Sequence, residues 1–347
     1  MADSSSSPGS IMVTGGAGYI GSHAVQRLLR DGHTVVCVDN LARGHRAAID
    51  RLACDTLHFH QADIGDGDTI EKLLKDYNVS TIMHFAALAY VGESVTDPLK
   101  YYRNNAAGAL AMLEAADRAG VSRFVFSSTC ATYGEPPADM VPIPEHCPQS
   151  PISPYGASKL HVEHMLRDLA EAKRRANQPF GYAALRYFNV AGSDRSGLIG
   201  EDHDPETHLI PVVLQAAMGQ RDGISIFGTD YPTDDGTCIR DYIHVEDLID
   251  AHVTVMHALE PGDERHYNLG IGTGYSVRQI IDAAQRVTGT TLKITDGPRR
   301  AGDPPKLYAN PAKIKGELGW TASLTDLDET IASAYRWFQK HPNGYDA

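Results

Sequence analysis

The sequence predicts an α/β fold, a doubly wound parallel sheet carrying a smaller C-terminal α/β lobe. Three observations predict it. Short β-branched or apolar runs alternate with longer amphipathic segments through the first half, and a glycine-rich turn joins the first run to the first helical segment. After about Ala191 the rhythm loosens into loops rich in glycine, proline and charge. Strand and helix in alternation imply parallel strands joined by crossover helices that cover both faces of a sheet.

The elements follow in order. MADSSSSPGS is polar and reads as a disordered tail over residues 1–10. IMVT from Ile11 is the first strand, with a helix to about Arg30 after it, and TVVCVD, LHFHQAD, TIMHF and FVFSST are the next four strands. Asp97-Pro98 supplies an N-cap and a proline at the first helical position, and Gly120 stops that helix. Ser153-Pro154 opens another helix in the same way. The later loops, such as GSDRSGLIGEDHDPETH and GTDYPTDDGT, have the composition of segments that shape a site more than they build a core.

Composition narrows the function. With 31 Lys+Arg against 44 Asp+Glu the net charge is -13, which argues against a chain-wide preference for nucleic acid or an anionic membrane. An anionic substrate would need a local basic cluster. The five cysteines are scattered, with no C-x-x-C pair, so neither a disulfide framework nor a zinc site is expected, and a reducing compartment fits. The start has no basic and apolar secretory pattern, and no apolar run is long enough to span a bilayer. A soluble, cytoplasmic protein is expected, with no metal.

The chemistry begins at IMVTGGAGYIGSHAVQRLL, where strand, glycine-rich turn and helix succeed one another. Gly16, Gly18 and Gly21 fit G-x-G-x-x-G, and Gly15, Gly18 and Gly21 fit the related G-x-x-G-x-x-G spacing. Absent side chains let the backbone turn sharply and approach a pyrophosphate, and helix N-terminal amides favour its charge. A tight connection alone would also use glycines. Asp39, ending the second strand about 20 residues on, adds the acid that binds adenosine ribose hydroxyls in this Rossmann-type fingerprint and repels a 2′-phosphate. NAD is therefore favoured over NADP, although Arg43 lies close by in sequence.

Tyr155 and Lys159 stand four residues apart at the start of a helix and share one face. An ammonium beside a phenol favours the phenolate, so a group with an ordinary pKa of about 10 can act as a base near neutrality. Such a pair is common on solvated helices, and it gains meaning from its company. It shares the chain with the nucleotide loop and follows the strand FVFSST, whose end carries Thr129. A hydroxyl there can bridge a substrate oxygen and the tyrosine. Ser127, Ser128 and Thr132 are alternatives on the residues alone.

Taken together, TGGAGYIGSH, VDN, HFAALAYVGES, FSSTCATYG, SPYGASK, LRYFNVAG, GTDYPTDDGTCIRDYIHVEDL and PRRAGD resemble the UDP-glucose 4-epimerase family of extended short-chain dehydrogenases, from about Ile11 to the C-terminus. UDP-arabinose and UDP-xylose 4-epimerases share much of this set. The resemblance implies Tyr155 as base, Lys159 as the group that holds the nicotinamide ribose and lowers the tyrosine pKa, and Thr129 as the contact to the C4 oxygen. It implies NAD contacts from Gly15, Gly18, Tyr19, Ile20 and Gly21, from Asp39 and Asn40, from Asp63 and Ile64, and from Phe85, Ala86 and Asn104. For the UDP-sugar it implies Asn189, Phe227, Arg240, Arg300 and Asp303, with Arg299 nearby; two guanidinium groups suit a diphosphate.

Residues 11–190 would then form the NAD-binding domain with the catalytic helix. Residues 191–347 would mainly form the UDP-sugar lobe, with some segments returning to the first domain. The implied reaction is reversible C4 epimerisation of a UDP-hexose through a 4-keto sugar, by a homodimer joined through the Tyr155 helix and the helix near Pro98. Three residues depart from patterns seen in such proteins. Ala89 stands where some carry lysine, His208 where some carry asparagine near the phosphates, and Leu307 where a tyrosine limits room for an N-acetyl group. UDP-pentose or UDP-N-acetylhexosamine epimerisation is therefore the alternative. A 4,6-dehydratase is disfavoured because Cys130-Ala131 replaces the Asp-Glu that elimination uses. A non-catalytic NAD sensor has no need for the full substrate set.

Overall fold

A computed structural model describes residues 9–299 and 303–345. The first eight residues of the expected tail, and Arg300 of the expected substrate set, lie outside the described residues. The strand that follows begins at Ser10, one residue before Ile11.

Seven strands form the central sheet. They are β1 (Ser10–Thr14), β2 (Val35–Asp39), β3 (Leu57–Gln61), β4 (Val79–His84), β5 (Arg123–Thr129), β6 (Gly181–Tyr187) and β11 (Glu264–Leu269), in the order β11-β6-β5-β4-β1-β2-β3. β1 pairs in parallel with both β2 and β4, β2 with β3, and β4 with β5. The order reverses at β1, so a crevice opens beyond its carboxyl end, where ligands of such sheets bind. β1, β2 and β5 are almost wholly buried because helices cover both faces, which is why they read as continuous apolar runs rather than alternating ones.

The helices of the first half are α1 (Tyr19–Arg30), α2 (Arg46–Asp50), α3 (Gly67–Asp76), α4 (Val91–Thr96), α5 (Pro98–Tyr101), α6 (Gly108–Ala119) and α7 (Pro154–Arg175). Met12, Ile82, Phe124, Val162 and Leu166 belong to the core between sheet and helices. The capping logic holds at both predicted starts. Asp97 accepts from the Lys100 amide and Ser153 from the Gly156 amide, each ahead of a proline at the helix start. Gly120 ends α6 with φ 75°, a left-handed backbone that costs glycine little. The expected single helix from Pro98 to Gly120 is instead interrupted by a π-helical stretch, Tyr102–Ala107, a feature with no periodicity signal of its own.

The chain divides into two compact units, one of residues 1–128, 153–185 and 255–266, the other of residues 129–152, 186–254 and 267–347. They draw on nearly equal lengths of chain and interleave along it, the second taking in residues 129–152 and the first taking in residues 255–266. The reason is that the loop after β5 and the segments after β6 and β11 leave the sheet at their carboxyl ends and pack with the later residues. The second unit holds β7 (Asn189–Ala191), β8 (Ile224–Phe227), β9 (Ile239–Arg240), β10 (Tyr242–His244), β12 (Tyr275–Ser276), β13 (Ile294–Gly297) and β14 (Lys306–Leu307) in three small sheets, β10-β7, β12-β9-β14 and β13-β8. Its helices are α8 (Leu209–Ala217), α10 (Val277–Thr288), α11 (Ala312–Leu318) and α12 (Leu327–Lys340), with α9 (Val245–Ala258) ending in the first unit. Among the described residues no helix is long and apolar enough to cross a membrane.

Candidate active site

In the first unit the nucleotide loop sits at the switch point. Gly15 takes φ 69°, and a Cβ on it would lie 2.6 Å from the Ala86 nitrogen after β4. Phe85 donates its amide to the Thr14 carbonyl at 3.0 Å, so β1 and the Phe85-Ala86 segment meet through backbone. Gly21 is required by the fold itself, since a Cβ there would meet the Gly15 carbonyl oxygen at 2.1 Å. Gly18 differs. Its φ of -81° suits any residue, and its nearest neighbour would be that same carbonyl at 3.4 Å. The protein leaves room over Gly18, as a pyrophosphate on the amides of α1 needs. Tyr19 and Ile20 open that helix, which carries no acid in its first turn and two arginines in its last.

Asp39 ends β2, mostly buried, with Oδ2 accepting from the Ala17 amide at 3.0 Å and Oδ1 from the Leu41 amide at 2.8 Å. Burial raises its pKa and these two bonds oppose the rise. Asn40 reaches across to β3's end, donating Nδ2 to Asp63 Oδ2 at 2.8 Å, while Asp63 Oδ1 accepts from the Gly65 amide. Ile64 is buried against Gly108. The predicted adenosine residues are thus brought together at the ends of β2 and β3. Arg43 lies over the Tyr90 ring and pairs with Glu93 at 3.6 Å, an engagement that does not require a 2′-phosphate.

Tyr155 and Lys159 lie on the first turns of α7, both buried. Lys159 Nζ donates to the Ser127 carbonyl of β5 at 2.8 Å and sits 4.9 Å from the centre of the Phe126 ring. Burial lowers its pKa to about 7 against the pull of Glu163. Tyr155 packs edge-on to Tyr101, ring centres 6.5 Å apart. Of the hydroxyls on β5 and the turn after it, Ser128 donates to buried Glu163 and Thr132 to the Thr129 carbonyl at 2.9 Å. Both are spent internally. Thr129 closes the strand with its oxygen fixed by the Ala131 amide at 3.1 Å.

Asn105, a residue the sequence did not single out, anchors the loop after β4. Its Oδ1 accepts from the Leu88 amide, and its Nδ2 donates to the Leu88 carbonyl and to Ser158 of α7. Asn104, which was expected near the cofactor, also donates to Asn105 Oδ1 at 2.9 Å from within the π-helical stretch. That irregular turn carries no signal in the sequence pattern.

In the second unit, Arg240 of β9 donates Nη1 to the Ile239 carbonyl at 2.8 Å and Nη2 to Asp303. Leu307 of β14 lies in register with Arg240 and packs on the cluster of Tyr133, Ile143 and Phe188. Asn189 opens β7, paired with Tyr242, whose phenol burial pushes up to about 12. Phe227 points outward from β8, 41% exposed, as an aromatic face for stacking would. Arg299 is held by Asp230 at 2.7 Å and lies over Tyr231. Buried Asp241, also missed in the sequence, binds the strands of this unit by accepting amides from Ile271 and Ala309. Burial lifts its pKa to about 7.

Known proteins are similar to this chain over nearly its whole length. A UDP-glucose 4-epimerase of Lacticaseibacillus casei is 47% identical over 338 residues, 96% of this chain and 98% of its own. A probable UDP-arabinose 4-epimerase of Arabidopsis thaliana is 45% identical over 344 residues, 96% of this chain and 82% of its own. The crystal structure of a UDP-glucose 4-epimerase from Bifidobacterium longum in complex with NAD+ and UDP superposes with a TM-score of 0.90 at 38% identity, covering 96% of this chain and 99% of that one. Residues 11–270 match the NAD dependent epimerase/dehydratase family, and the chain belongs to that family.

Proposed function

We propose that this protein interconverts UDP-glucose and UDP-galactose by inverting C4 of the sugar through a 4-keto intermediate. The observation that carries it is the Lys159–Ser127 contact, which places a buried ammonium one helical turn from Tyr155 and ties both to the strand end that bears Thr129. Tyr155 takes the proton of the C4 hydroxyl and later returns it, and Thr129 holds the C4 oxygen. NAD, when bound, would supply the acceptor and donor for the C4 hydride. Gly15, Gly18, Tyr19, Ile20 and Gly21 would hold its pyrophosphate, Asp39 and Asn40 its adenosine ribose, and Asp63, Ile64, Phe85, Ala86 and Asn104 its remaining edges. The open space over Gly18 and the acid at the end of β2 fit that group.

Inversion requires the planar ketone to offer its other face while UDP stays bound. Asn189, Phe227, Arg240, Arg300 and Asp303 would supply the firm grip on UDP that this needs, the arginines facing the diphosphate. Elimination to a 4-keto-6-deoxy sugar is disfavoured because the residue after Thr129 is Cys130, whose thiol burial pushes up to about 12, so it is a poor proton donor or acceptor near neutrality. Similarity to a UDP-arabinose 4-epimerase makes a UDP-pentose the second substrate to try.

A homodimer in the cytoplasm completes the proposal. Val91, Val95 and Leu99 of α4 and α5 are exposed, at 48%, 62% and 72%, as is Leu110 of α6, apolar side chains that subunit association would cover. All five cysteines are free thiols, which suits a reducing compartment. The deciding experiment incubates the protein with UDP-galactose and no added cofactor and follows the anomeric protons by NMR. UDP-glucose should accumulate to a constant ratio. Tyr155→Phe should cut turnover by roughly a factor of 100 to 10,000 with UDP affinity nearly unchanged; near-normal turnover in that variant rules out the role of Tyr155.

A further inference from the structure

The loop between β7 and α8 contains four side chains that the proposed epimerisation does not use together. Glu201, His203, Glu206 and His208 follow one another in the spacing E-x-H-x-x-E-x-H, and one ligand-type atom of each lies within 4.8 Å of all the others. Nδ1 of His203 is 3.1 Å from Glu201 Oε1 and 3.6 Å from Glu206 Oε2, and Nδ1 of His208 is 3.2 Å from Glu201 Oε1 and 2.8 Å from Glu206 Oε1. Four ligands about 2.0 Å from a tetrahedral metal stand about 3.3 Å apart. Glu206 Oε1 is taken up by backbone amides and the His208 ring, so Oε2 is its ligand atom, and the remaining nitrogen–oxygen separations of 3.1, 3.2 and 3.6 Å lie around that value. We propose that these four residues form a binding site for one divalent zinc-type ion, held by two imidazoles and two carboxylates.

The chemistry and the rigidity of the loop support this site. Imidazole nitrogen with carboxylate oxygen suits zinc and its first-row neighbours, whereas magnesium and calcium prefer oxygen alone. The side chains of Glu201 and Glu206 are only 5% and 4% exposed, so their two negative charges need a cation at close range. The loop is fixed by its neighbours. The Glu201 carbonyl accepts from Trp337 Nε1 at 2.9 Å, the Gly200 amide donates to the Tyr345 hydroxyl at 3.0 Å, and Asp202 accepts from the Tyr345 amide at 2.8 Å. Glu206 Oε1 is pinned by the amides of Thr207 and His208, both at 2.7 Å, while its Oε2 faces His203. Cysteine spacing gave no hint of this set because it contains no thiolate.

The competing account is a neutral cluster of two imidazolium–carboxylate pairs with no ion. Cobalt separates the two. The holoenzyme, stripped with chelator and exchanged into buffer at pH 8, is titrated with Co2+ and read by visible absorption, with bound metal counted after gel filtration. One equivalent should bind with the intense bands of a four-coordinate site, without sulfur charge-transfer absorption, and Zn2+ should displace it. His203→Gln and Glu206→Gln, checked for folding by circular dichroism, should each weaken binding roughly 100-fold or more. A spectrum no different from aqueous Co2+ overturns the proposal, as does a sulfur charge-transfer band or undiminished binding in both variants. The spectrum of the unmutated protein decides the donor set even if neither variant folds.

Discussion

The ammonium of Lys159 is buried against the backbone carbonyl of Ser127, 2.8 Å away, with the Phe126 ring beneath it. A helix and a strand thereby share a charge whose burial holds its pKa at about 7, against an ordinary 10.5. Buried charge of this kind costs stability and persists where it serves chemistry.

Replacing that charge should stabilise the cofactor-free protein. Between pH 7 and 10.5 the unfolded chain binds the lysine proton and the folded chain does not, so stability from this group rises with pH across that window and is constant below it. Lys159→Met should raise the unfolding temperature at pH 6, the charge penalty relieved being roughly 3–5 kcal/mol less about 1 kcal/mol for the lost hydrogen bond. The advantage should shrink toward pH 10 while turnover is lost at every pH. Thermal melts across pH check it, and a variant less stable at pH 6 than at pH 10 relative to the parent would contradict the burial argument.

The glycines of the nucleotide loop should separate folding from binding. At Gly18 the backbone already suits alanine and the nearest neighbour would be 3.4 Å away, so Gly18→Ala should leave stability unchanged or raise it by about 0.4–1 kcal/mol. NAD retention, measured as cofactor released on denaturation, should fall sharply because the methyl group occupies the space over the α1 amides. Gly21→Ala puts a methyl 2.1 Å from the Gly15 carbonyl oxygen and should impair folding itself. Equal loss of stability in both variants would mean that Gly18 is held by the fold and not by a ligand.

Those two glycines also mark what a sequence can disclose. The strands, the caps at Asp97 and Ser153, and the spacing from the loop to Asp39 are local patterns; the caps and Asp39 appear where the pattern put them, and the strand starts move by at most two residues. Asn105 and Asp241 are single polar residues whose partners lie in remote segments, 17 and 30 residues away or more, so no local periodicity marks them. The π-helical stretch between α5 and α6 is invisible for a related reason: it changes the phase of a helix without changing its composition.

Leu307 should set how large a sugar the protein accepts. It is half-buried on β14, in register with Arg240 and packed on Tyr133, Ile143 and Phe188. Leu307→Tyr adds a ring and a hydroxyl where the cluster is tight. Turnover of UDP-N-acetylglucosamine should fall at least about 10-fold relative to UDP-galactose, the scale that crowding of a few carbons in a pocket produces. Paired kinetics with the two substrates measure the ratio, and an unchanged ratio would place the size filter elsewhere.

Arg240 offers the sharpest test of the diphosphate grip. Its side chain is 12% exposed, with one nitrogen fixed on the Ile239 carbonyl and another on Asp303, so the planar group is oriented before any ligand arrives. A lysine there keeps the charge and loses the fork, along with the double anchorage that fixes its direction. Arg240→Lys should therefore weaken UDP binding roughly 10- to 100-fold, about 1.4 to 2.7 kcal/mol, measured by calorimetry. NAD content and unfolding temperature should change little, since the cofactor residues lie in the first unit. If affinity survives with lysine but not with Arg240→Met, charge alone is what the site supplies, and the orientation imposed by Asp303 is not part of recognition.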